Sequence, residues 1–192
     1  MPTLTGRAIP VHASDLACID LVNSRFADHL GQAGVVDRLP IAEWQTWFLG
    51  RHALVPDVVG DIPETDLRQL RQVLTTVLDQ WGGGRRIDRR VAAKLDVWVA
   101  RTRVRPRVSV VSGRIAVTTE AVSRDWPWVL AAIALSAAEL MATADHRRYK
   151  RCGNPDCSWA YYDTTLNGSK QYCSTTPCGT LMRVRRHRAG GD

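Results

Sequence analysis

Four cysteines open the chemistry of this chain. Cys152 and Cys157 flank a Gly-Asn-Pro-Asp turn, and Cys173 and Cys178 form a second pair at the same internal spacing. The pattern is C-x4-C-x15-C-x4-C, so four of the five cysteines fall within 27 of the 192 residues. Each pair supplies two thiolates from one tight turn, which suits tetrahedral zinc. Four thiolates fill that coordination shell and leave no place for water, so the expected ion is structural Zn2+ and not catalytic. Two disulfides or unrelated free thiols are the competing readings, and a reducing cytoplasm favours metal over disulfides. Between the pairs, "SWAYYD" (158–163) reads as a strand, Asn167-Gly168 as a turn, and "KQYC" (170–173) as the returning strand. A piece this small has little core, so metal would supply much of its folding energy.

After Cys178 the sequence "GTLMRVRRHRAGG" predicts a helix over about 179–189, stopped by Gly190-Gly191. At 100° per residue Leu181 and Val184 share a face that can pack on the zinc hairpin. Arg183, Arg186 and His187 point away from it, and Arg185 and Arg188 flank it. Together with Lys170 these residues are the candidate DNA contacts, through phosphates or in a groove. Charge points the same way. Residues 146–192 hold nine Lys/Arg and three acids, +6 of the chain's net +7, so a nearly neutral body carries a basic end. The competing reading is that the arginines offset the net −2 of a tetrathiolate zinc centre and otherwise face water.

The elements before the cysteines must position that end. With 45% hydrophobic and 23% charged residues, the composition is ordinary for one sizeable domain plus an appendage. A helix is predicted over 14–30 with Ser14 as N-cap and Leu16, Ile19, Phe26, Ala27 and Leu30 on one face. Asp20 and Asn23 fall inside that face. They either tie neighbouring loops or line a pocket for a polar small molecule. Further helices are expected at about 40–50, 64–81, 88–101 and 126–144, with a β-hairpin over 107–119 about Ser112-Gly113. The apolar run 126–144 contains Glu139 and reads as a buried core helix, not a membrane span. Trp44, Trp47, Trp81, Trp98, Trp126 and Trp128 belong mostly to the core, and Cys18 reads as a small apolar filler. The first twenty residues lack a signal-peptide pattern, and the expected location is cytoplasmic.

The stretch 151–188 resembles the CGNR zinc finger: a C-x-NP-x-C start, Trp159 two residues after the second cysteine, an Asp in the hairpin, and Cys-Gly opening an "RRHR" helix. By resemblance Cys152, Cys157, Cys173 and Cys178 are the zinc ligands. The family's name motif reads Cys-Gly-Asn-Arg, whereas this chain has Thr180 and Leu181 in the last two places. Thr180 can cap the helix, but Leu181 cannot replace an arginine. "IDLVNSR" (19–25), and more weakly "EWQTWF" (43–48), are similar to the ABATE domain that precedes this finger. The resemblance implies a stress-induced transcriptional regulator. The expected fold is mainly α: a helical N-terminal domain (1–145) with one β-hairpin, then a small four-cysteine zinc finger (146–192) built from a β-hairpin and a C-terminal helix. The expected function is zinc-dependent DNA binding under a sensing module that takes a small-molecule effector, in a chain able to form a homodimer. A zinc-stabilised protein adaptor is the alternative. An enzyme using an N-terminal pocket ranks below both, because no nucleophile–base pair is visible, and the expectation is a non-enzyme.

Overall fold

The computed structural model describes residues 3–4, 7–8, 14–27, 34–57 and 60–189. Residues 28–30 of the helix predicted over 14–30, and the Gly190-Gly191 stop, lie outside these.

The core is helical, as the apolar spacing requires. Strands β1 (Thr3–Leu4) and β2 (Arg7–Ala8) form a short antiparallel pair ahead of it. Helices α1 (Ala17–Val22), α2 (Ala42–Arg51), α3 (Glu64–Gly82), α4 (Arg89–Val99) and α5 (Trp126–Thr143) follow, with α5 packed against α1, α3 and α4. In α3, Leu67, Leu70, Leu74, Val77, Leu78 and Trp81 recur at three- and four-residue steps, and all are buried. The starts of α4 and α5 are capped by side chains. Asp88 accepts from the Val91 N–H and Asp125 from the Trp128 N–H, both at 3.0 Å. The run read as a core helix is α5, with Val129, Leu130, Ile133, Ala134 and Ala137 at 2% exposure or less. Cys18 is sealed inside the same core. Burial, opposed mainly by its bond to Ser136, pushes its thiol up to about 11, which suits an inert filler. Trp44, Trp81 and Trp98 are buried, while Trp47, Trp126 and Trp128 pack at the core's edge.

Two expectations fail in the first part. The helix predicted from Ser14 is much shorter. It begins after Leu16 without a side-chain cap and stops at Asn23. Ser24 then turns the chain, its hydroxyl donating to the Leu21 carbonyl at 2.7 Å. Strand β3 (Arg25–Ala27) pairs antiparallel with β4 (Val35–Asp37). Phe26 therefore sits on a strand, not on the helix face; its apparent helical phase was coincidental. The expected single hairpin is accordingly one of three among the described residues of this part.

The hairpin predicted from 107–119 is longer. Strands β5 (Val104–Val111) and β6 (Arg114–Ala121) pair over eight residues each, turning through Ser112 and Gly113. Both turn residues have positive φ, +51° and +74°, as a two-residue turn of this kind demands.

Beyond α5, a short 3-10 turn (His146–Arg148) leads into the cysteine-bearing end. Strand β7 (Tyr149–Arg151) pairs antiparallel with β8 (Ala160–Tyr162), and helix α6 (Thr180–Ala189) ends the described chain. The predicted hairpin had one right strand and the wrong partner for it. The strand 158–163 pairs backwards with Tyr149–Arg151, because the first cysteine turn itself connects the two strands. The segment 170–173 instead lies across the turn, its Gln171 carbonyl accepting from the Gly153 N–H at 2.8 Å.

Candidate zinc centre and nucleic-acid interface

The two cysteine turns converge. The sulfurs of Cys152, Cys157, Cys173 and Cys178 all lie within 4.8 Å of one another, with Cys157–Cys173 at 4.0 Å and Cys173–Cys178 at 3.6 Å. A regular tetrahedron around zinc with bonds of about 2.3 Å has sulfur–sulfur edges of about 3.8 Å. The set therefore fits a structural Zn2+, closed on all four sides.

The surroundings agree with charged sulfur. The Cys173 N–H points at the Cys152 Sγ at 3.4 Å, and the Asn154 Nδ2 at the Cys178 Sγ at 3.7 Å. The thiols of Cys152, Cys157 and Cys173 also act strongly on one another. Hydrogen bonds from Cys157 and Cys173 pull the Cys152 thiol far down. The bond to Cys152 pushes Cys157 up, and Cys173 is driven up by the bonds to Cys152 and Cys157. Four sulfurs this close could all be thiolates only with a cation among them, and a divalent ion would supply that charge.

Two buried polar side chains shape the loops around this centre. Asn154, fully buried, also accepts from the Asp156 N–H at 3.2 Å and so closes the first turn. Asp163, fully buried after β8, accepts from the Lys150 Nζ at 2.8 Å, from the Thr165 N–H and hydroxyl, and from the Lys170 N–H at 2.9 Å. Burial alone would raise its carboxyl, but those donors, Lys150 first, hold it well below the usual carboxylate range.

Helix α6 leaves the second turn directly after Cys178 and Gly179. Arg183, Arg186, His187 and Arg188 are exposed on it. Arg185 is engaged: its Nη2 meets the Asp156 Oδ2 at 2.7 Å and ties the helix to the first cysteine turn. Lys170 sits on the returning segment with its Nζ 4.9 Å from the centre of the Tyr161 ring, off the helix that bears the arginines. Val184 is 41% exposed and does not seal against the finger, whereas Leu181 is half-buried. Thr180 is already helical and its hydroxyl donates to the Thr175 carbonyl at 3.2 Å, so it does not cap.

Asp20 and Asn23 are both buried and both engaged. Asp20 takes the Ser14 N–H at 2.7 Å and lies 3.0 Å from the His52 Nε2. Asn23 reaches 137 residues along the chain. Its Nδ2 donates to the Ala160 carbonyl and its Oδ1 accepts from the Ala160 N–H, both at 2.8 Å. In the β7–β8 register, Ala160 turns those two groups away from β7, so the Asn23 amide occupies the place of a third strand.

More contacts cross the same seam. Phe26 meets Trp159 edge to face at 5.6 Å, and the Arg38 guanidinium lies 4.2 Å from the centre of the Phe26 ring. Asp79 on α3 holds Arg151 through both carboxylate oxygens at 2.9 Å and accepts from the Tyr149 hydroxyl at 3.2 Å. Asp79 is not among the apolar positions that make α3 a core helix. Nothing in the sequence marked it as a fastener. A cavity of about 770 Å³ opens along this seam, lined by Arg25, Arg68, Arg71, Asp79, Arg151 and Cys157 among others; neither Asp20 nor Asn23 lines it.

Comparison with known proteins gives two matches in series. Residues 15–144 match the ABATE family model, described as "Putative stress-induced transcription regulator", and residues 148–190 match the CGNR zinc finger. No curated protein matches the chain.

Proposed function

This chain belongs to the ABATE family, and we propose that it regulates transcription by binding DNA through its C-terminal zinc finger, residues 146–192, under the control of the helical module, residues 1–145. The observation that carries this reading is the exposed arginine face of α6, rooted in the zinc-fitting turns by the Arg185–Asp156 pair. Arg183, Arg186, His187 and Arg188 are the phosphate or base contacts, Arg185 sets their helix at its angle, and Lys170 adds charge from the hairpin. The replacement of Asn-Arg by Thr180-Leu181 removes one cation from the start of the helix, so contact shifts to its exposed middle and end.

The sensing role falls to the seam. Asn23 and Asp79 bond the finger directly, so an effector that shifts α1 or α3 changes how α6 is held. The cavity beside Cys157 has a volume suited to a small molecule, and its arginines suit an anionic one. Asp20, with His52 and Ser14, holds the start of α1 in the arrangement that binding would disturb.

The test is a salt-titrated DNA-binding assay with zinc measured on the same sample. Affinity should fall steeply with salt, and Arg183→Ala with Arg186→Ala should lower the slope of log K against log salt by about 2 while leaving zinc at one per chain. Absence of DNA affinity in the fully zinc-loaded protein sinks the reading and favours a protein adaptor.

A further inference from the structure

The β5–β6 ribbon is out of place on a finished surface. Its strands pair with each other and make no comparable contact with any other described element. An isolated two-stranded hairpin is at best marginally stable in water. The register puts Val104, Pro106, Val108 and Val110 of β5 on the same face as Ala121, Thr119, Val117 and Ile115 of β6. No charged residue interrupts that face. The ribbon's charges lie on the other side, where Arg105 and Arg107 both hold Glu120, at 2.8 and 2.6 Å. Val104, Val108, Val110, Ile115 and Val117 are 56–73% exposed.

We propose that this face is a dimerisation surface whose occupant is the same face of a second copy of the chain. Two arguments select the second copy. The first is extent. Five β-branched residues, each 56–73% exposed, lie side by side on one face, a contiguous apolar patch of the kind that marks an interaction site on an otherwise finished monomer. The second is chemistry. An uncharged, β-branched face offers no charge pattern for a foreign partner to match, but it is complementary to itself. Two such faces related by a two-fold axis interdigitate as stacked sheets do, and the contact closes at two chains. The other ribbon face keeps its Arg–Glu pairs in water, as an outer layer would.

The test is the oligomeric state of the full-length, zinc-loaded chain in the absence of DNA, so that it stands apart from the DNA-binding reading. Sedimentation equilibrium at micromolar concentration should give twice the 21.4 kDa chain mass. Val108→Lys with Ile115→Lys should give the monomer mass with unchanged helical circular dichroism and zinc content. Thr118→Lys, on the opposite ribbon face, and Leu135→Lys, an exposed apolar position on α5, should leave the dimer intact. A monomeric wild type overturns the proposal, whether the face proves to take a different protein or a lipid surface. So does a dimer that survives the Val108/Ile115 pair, or one broken equally by Leu135→Lys.

Discussion

Replacing Asn23 by alanine tests the seam between the helical module and the finger at its most exacting point. The side chain is 3% exposed and gives both of its hydrogen bonds to the backbone of Ala160, which is itself fully buried. Alanine leaves the Ala160 N–H and carbonyl without protein partners, since neither group faces β7. An unsatisfied buried backbone group costs about 1–3 kcal/mol, and some of that is recovered where water enters the space left behind, so the expected loss is about 2–4 kcal/mol. With a urea m-value of about 2–3 kcal/mol/M, the unfolding midpoint falls by about 1 M. The assay is urea unfolding at fixed excess zinc, read by far-UV circular dichroism and by tryptophan fluorescence, so that mass action of the metal is constant. Asn23→Asp is the companion. It keeps an acceptor for the Ala160 N–H but sets a carboxylate oxygen against the Ala160 carbonyl, so it should cost at least as much. A midpoint within about 0.2 M of wild type for both variants would show that Asn23 does not fasten the two modules.

Cys157→Ser should abolish zinc retention by elemental analysis and unfold the finger, while most helical signal remains, because the packing of α3, α4 and α5 does not use the four clustered cysteines. Gly82→Ala should destabilise by about 1–3 kcal/mol in thermal melts, the reverse of the usual glycine-to-alanine gain in a helix, since the new Cβ would lie 2.5 Å from the Tyr149 Cδ1 and 3.0 Å from the Tyr149 carbonyl. Asp37→Asn should lower stability at neutral pH by about 2 kcal/mol. Burial raises the Asp37 carboxyl, but the Arg71 bonds outweigh it and hold the carboxyl below its ordinary value. The sign follows: the wild type's advantage over Asp37→Asn is complete above about pH 4, the unfolded carboxyl's range, and vanishes as pH falls through the lower folded value. Urea midpoints of the two proteins between pH 3 and 7 measure it.

The parts of this fold that were legible in the sequence are those set by local repetition. The leucines of α3, the apolar run of α5 and the Ser112-Gly113 turn each carry their own period or turn chemistry, and each formed as expected. The cysteine spacing was equally local, since two short turns bring four sulfurs together almost regardless of what surrounds them. What escaped was decided by partners distant in sequence. The helix expected to run past Asn23 ended there, where that side chain is committed to Ala160, 137 residues away, and Phe26 is committed to Trp159. The role of Asp79 is set by Arg151 and Tyr149, some seventy residues away, and no local pattern announces it. The wrong pairing for β8 has the same origin. An Asn-Gly turn lay on one side and a cysteine turn on the other, and the ladder formed across the cysteine turn.

The aromatic contact between Phe26 and Trp159 has a consequence for how such chains can be rearranged. The finger's largest apolar side chain finishes its packing on a residue from the other end of the protein, with Arg38 layered over both rings. A fusion that grafts residues 146–192 onto an unrelated carrier would bare an indole and a raw strand edge to solvent, inviting clumping whatever the metal supply. Recombination that preserves function must carry the β3–β4 hairpin along with the cysteines, so the segment inherited as a unit is larger than the one that grips the ion.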